Sequence, residues 1–76
     1  MVILMKVWLC YTEMSSEPNF HGFTRSAKAA RAWVSSGILL DRYTGYEWRI
    51  DTPDHIVAVS KDGMRNIIVR AINSIR

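Results

Sequence analysis

Residues 60–75 read Ser-Lys-Asp-Gly-Met-Arg-Asn-Ile-Ile-Val-Arg-Ala-Ile-Asn-Ser-Ile, and the architecture depends on how they are taken. Ser60-Lys61-Asp62-Gly63 interrupts the apolar run before it and offers capping side chains. Met64, Ile68, Ala71, Ile72 and Ile75 then recur at i, i+4, i+7, i+8 and i+11, with Asn66, Arg70 and Asn73 opposite them. That spacing is a single apolar stripe and predicts a helix.

Upstream, Tyr46-Glu47-Trp48-Arg49-Ile50-Asp51 alternates strictly. Tyr46, Trp48 and Ile50 face one way and Glu47, Arg49 and Asp51 the other, as in a strand with one wet face. Asp51-Thr52-Pro53-Asp54 carries proline among turn-forming residues, and His55–Ser60 follows as the return strand of a hairpin. Before it, Thr24 or Ser26 can cap a helix running to about Ser36, stopped by Gly37. Ala27, Ala30, Trp33 and Val34 share one arc of that helix, and Arg25, Lys28 and Arg31 the opposite one. Residues 2–12 are β-branched, aromatic and aliphatic on both faces apart from Lys6, which predicts a strand covered on both sides. Residues 13–23, with Pro18 and Gly22, read as a loop in which Phe20 and Phe23 can pair back on the first strand. The expected fold is α+β: a single compact β-α-β-β-α domain over residues 1–76, its antiparallel or mixed sheet carrying two helices on one face.

Composition narrows the class. The chain has 76 residues, 49% apolar, with eight aromatic side chains and a net charge of +3, which excludes intrinsic disorder. One cysteine excludes a disulfide framework and fits a reducing, cytoplasmic setting. The apolar run Met1–Met5 is far below the ~20 residues of a membrane span, so no membrane partner is expected.

No phosphate loop, dinucleotide fingerprint or metalloprotease motif is present, and no cofactor is expected. Cys10, His21 and Glu13 formally supply nucleophile, base and orienter, but a cysteine in an apolar strand is ordinarily an inert packing residue. His21 and His55 lack a third ligand, so no metal is expected either. Asp51 and Asp54 flank a turn, where aspartate commonly serves the backbone. The chain reads as not an enzyme, with no catalytic residue.

Charge distribution supplies the candidate partner-binding residues. Arg25, Lys28 and Arg31 occur with no acid between Glu17 and Asp41. Such a run is ordinarily a solvated face, yet it can also steer an acidic partner. Glu47, Arg49 and Asp51 on the wet strand face complete the set. Trp8, Tyr43, Tyr46 and Trp48, with Lys6 and Arg49 nearby, can form either a core rim or a platform for stacking bases. Ile38-Leu39-Leu40 can tuck under the first helix or form a homodimer contact, leaving monomer and homodimer both open.

Gly45–Ile75, a hairpin and then a helix, resembles the second half of HicA-type mRNA-interferase toxins. Gly45-Tyr46-Glu47 stands where that family carries Gly-Ser-His, so the catalytic histidine is missing and the activity is not implied. Met5–Gly37, a strand followed by Phe-Thr-Arg-Ser-Ala-Lys-Ala-Ala-Arg-Ala-Trp, resembles small stand-alone phage and prophage proteins. It is also similar to the helix of arm-binding domains of tyrosine recombinases, without their basic sheet. The phage resemblance implies a non-enzymatic inhibitor that binds a host protein or an anti-phage defence complex, as anti-CRISPRs do. The alternative is a small nucleic-acid-binding protein using the basic helix face or the aromatic strand. Both readings fit the mild charge.

Overall fold

The β-branched triplet Ile67-Ile68-Val69 builds a strand, not a helix. In the computed structural model, which describes residues 4–14, 17–40 and 45–75, the order is β1 (Leu4–Met14), β2 (Glu17–Thr24), α1 (Ala27–Leu40), β3 (Tyr46–Thr52), β4 (His55–Ser60) and β5 (Arg65–Ile75). The five strands form one antiparallel sheet in the order β2-β1-β5-β4-β3. The expected β-α-β-β-α topology with two helices is therefore wrong: the chain runs β-β-α-β-β-β and has one helix among the described residues.

The error lies in residues 60–75. Ser60 and Asp62 do not cap a helix; they build a hairpin loop. Ser60 Oγ donates to Asp62 Oδ1 at 2.6 Å and accepts from the Arg65 amide at 3.0 Å, and Asp62 Oδ1 also accepts from the Met64 amide at 3.0 Å. Gly63, at φ 75°, supplies a left-handed conformation that other residues adopt at a cost. The chain so reversed places β5 between β1 and β4, where both of its edges are paired. Ile67 and Val69 point into the core and Ile68 to the other side, all three buried. Burial on both faces favours β-branched side chains in a strand, and tertiary context overrides a helical spacing.

Residues 17–24 are a strand where a loop is expected, and Phe20 and Phe23 do pair back on β1, opposite Tyr11 and Leu9. β2 lies at the sheet edge, which tolerates Pro18. The register shifts between Cys10 and Tyr11, making His21 the extra residue of a bulge next to Gly22, whose φ is 149°. The hairpin over 46–60 is present as expected.

Ser26 caps α1: its Oγ accepts from the Ala29 amide at 3.0 Å. The helix lies on one face of the sheet, where Ala30 and Val34 pack with Cys10, Ile56, Ala58, Ile67 and Val69. Trp33 is half-buried, its ring 5.6 Å from that of His21. Ile38 also packs against this core from within the helix, while the side chains of Leu39 and Leu40 lie outside the described residues. No helix among the described residues is long and apolar enough to cross a membrane.

Candidate partner-binding surface

The bulge in β3 decides which of the candidate residues meet. Trp48 pairs with Ala58 and Ile50 with Val57, so Arg49 is an extra residue and the strict alternation expected over 46–51 fails. Beyond the bulge Asp51 pairs with Ile56, a core residue on the helix side, and Ile50 turns to the opposite face. Asp51 is thus not beside Glu47 on one wet face. It reaches the helix instead, where its Oδ1 accepts from Arg31 Nη1. The Arg31 guanidinium lies 4.8 Å from the centroid of the Trp48 ring, so one side chain satisfies both an ion pair and a cation–π contact.

Arg31 is therefore compensated, which corrects its reading as part of an unpaired basic face. Lys28 is exposed on the first turn of α1, and Arg25 is exposed in the bend before the helix. Among the described residues neither has an ion-pair partner. Arg49 Nη2 lies 3.6 Å from Glu47 Oε2, an exposed pair on the edge strand worth little. Along the seam of helix and hairpin, Ala27, Lys28, Arg31, Asp51, Pro53 and Ile56 line a shallow recess. Its floor is partly apolar, and its rim carries one unpaired and one paired cation. Of the second candidate group only Asp51 joins residues 25–31 on this side; Glu47, which pairs with Val59, and Arg49 beside it stay away from the recess.

The aromatic platform is dismantled. Trp8, Tyr46 and Trp48 are half-buried and packed against the core, which leaves them as its rim; Tyr43 lies outside the described residues. Trp8 pairs with the small Ala71 and its Nε1–H donates to the Pro53 carbonyl at 2.7 Å, tying β1 to the β3–β4 turn. Lys6 caps that ring, 5.7 Å from its centroid, and pairs with Asp54 at 2.6 Å. Sequence reasoning missed this clasp; a Lys-x-Trp on one strand face was its only local signal.

The formal nucleophile set is not assembled. Cys10 is buried on the helix side, and burial pushes its thiol above the usual value. His21 bonds Thr12, with Nε2 and Oγ1 3.0 Å apart. Glu13, one residue beyond Thr12, points to the other face of the sheet. His55 also points there, away from His21, and among the described residues no group of three or more metal-ligating side chains converges. Compared with known proteins, the chain matches no family model, no curated protein and no solved structure.

Proposed function

We propose that this chain is a non-enzymatic binding protein that occludes a surface of a host protein or an anti-phage defence complex, in the manner of the small phage inhibitors its first half resembles. The observation that carries the reading is the recess between α1 and the β3–β4 hairpin, with Lys28 on its rim, Arg25 at the foot of the helix and Arg31 held in place by Asp51. Arginine and lysine presented over an apolar floor suit an acidic segment of a protein partner, since charge steers the encounter and the floor supplies burial. The competing reading is nucleic-acid binding. Two unpaired cations neutralise few phosphates, so a nucleic acid is the poorer fit. Affinity capture from a bacterial host lysate, run with and without nuclease and at two salt concentrations, tests the reading. A protein retained after nuclease treatment, with modest salt dependence, supports it. Retention that disappears with nuclease and falls steeply with salt replaces it with nucleic-acid binding.

A further inference from the structure

The face of the sheet opposite α1 carries no other element among the described residues, yet it is apolar. Of the six exposed large hydrophobic side chains among the described residues, four stand on it: Phe20 at 61%, Phe23 at 56%, Ile72 at 42% and Ile50 at 38% exposure. The register organises this face into rows. Phe20, Tyr11, Ile68, Val57 and Ile50 are direct cross-strand partners, one from each of the five strands, and form an unbroken apolar spine about 19 Å long at about 4.8 Å per strand. On one side of the spine the next row is Pro18, Glu13, Asn66, Val59 and Glu47; on the other it is Phe23, Leu9, Arg70, His55 and Thr52. Glu47 is answered within its own chain by Arg49, the extra residue of the β3 bulge, 3.6 Å away, which leaves Glu13 on one side of the spine and Arg70 on the other as the charges of these rows without an ion-pair partner among the described residues.

We infer that this face is the interface of a homodimer in which two copies pack sheet against sheet about a two-fold axis running along the spine. The charge pattern selects the occupant. A two-fold axis along the spine lays each spine on its copy and turns the row of Glu13 in one chain over the row of Arg70 in the other. Arg70 of one copy then comes within one strand spacing of the position opposite Glu13 of the other. Each contact occurs twice, as an isologous interface requires. Two sheets stacked about 10 Å apart bury the spine as the core of a sandwich. An anionic membrane or a nucleic acid would meet Glu13 unfavourably, whereas a second copy answers Glu13 with Arg70 and Arg70 with Glu13. This interface leaves Arg25, Lys28 and Arg31 on the outer side, free for the partner proposed above, and it replaces Ile38–Leu40 as the place of self-association.

Sedimentation equilibrium of the wild-type chain across a wide concentration range tests the inference, read together with a charge swap. The expected species has twice the 8.7 kDa monomer mass. Glu13→Arg and Arg70→Glu should each weaken the dimer at least tenfold by opposing like charges, and the double variant should recover it. Within one chain these two residues lie two rows apart, about 13 Å along the strands, so recovery reports a contact between chains. Isotope-filtered nuclear Overhauser effects between labelled and unlabelled wild-type chains, expected from Tyr11 to Phe20 and Ile68, give the same answer without a substitution. A wild-type chain that stays monomeric at millimolar concentration overturns the inference. So does a dimer unaffected by either single substitution, or one weakened by both and not restored by the swap.

Discussion

Arg31 of α1 and Asp51 of β3, twenty residues apart in sequence, form an ion pair across the seam between helix and sheet, with the Arg31 guanidinium lying on the Trp48 ring. The pair exists because the bulge at Arg49 turns Asp51 toward the helix. Both side chains are about half exposed, so the pair orients the recess more than it holds the fold.

A double-mutant cycle measures that distinction. Arg31→Ala and Asp51→Asn should couple by ~0.2–1 kcal/mol in urea denaturation. Arg31→Ala alone should cost slightly more than Asp51→Asn, because it also loses the contact with Trp48, on the order of 0.5–1 kcal/mol. A coupling of several kcal/mol would mean that the pair is a structural linchpin.

The central position of β5 makes its own demand. Ile67→Ala should destabilise by about 2–5 kcal/mol, a large fraction of the stability of so short a chain. The amides of residues 67–69 should be among the slowest to exchange with solvent, since β5 is paired on both sides. Fast exchange there, with a tolerated Ile67→Ala, would remove β5 from the centre of the sheet.

Much of this arrangement is legible in the residues, and the exceptions have physical causes. The alternation of 46–48 and the alanine-rich arc of 27–34 mark β3 and α1 because each has a wet and a dry side there, and periodicity reads a boundary between wet and dry. β5 has none over Ile67-Ile68-Val69, so the spacing of Ile68, Ala71, Ile72 and Ile75 imitates a helical stripe by chance. The discriminating signal is the β-branched triplet itself. Ser60, Asp62 and Gly63 add to the ambiguity, since a side chain that caps a helix can equally close a hairpin. β2 is obscured because Pro18 and Gly22 read as breakers, and only an edge position with a bulge accommodates both. The candidate cations at 25, 28 and 31 are visible in sequence, but the pairing of Arg31 is not, because a bulge leaves no mark on an alternating pattern.

The buried thiol gives a pH signature. Burial holds the Cys10 proton above the ordinary 9.0, so at high pH the unfolded chain loses this proton before the folded chain does. Its contribution to stability is complete below the unfolded value and drains away as pH rises toward the folded one. Wild type should therefore lose stability relative to Cys10→Ala as pH rises past about 9. Below that, native Cys10 should alkylate far more slowly than in urea. Rapid labelling of the native protein at neutral pH would place the thiol at the surface.

In the proposed function, the side of the molecule formed by α1 and the β3–β4 hairpin engages a protein. The most direct measurement of that engagement is the association rate with the protein captured from nuclease-treated lysate, compared between wild type and Arg25→Glu/Lys28→Glu. Arg31 is left intact because replacing it would also disturb Asp51 and Trp48. Both substituted side chains are exposed, so the melting temperature should not change, while association should slow and affinity drop at least tenfold. An unchanged association rate in a variant of wild-type stability would contradict the claim and take this side of the molecule out of the interface.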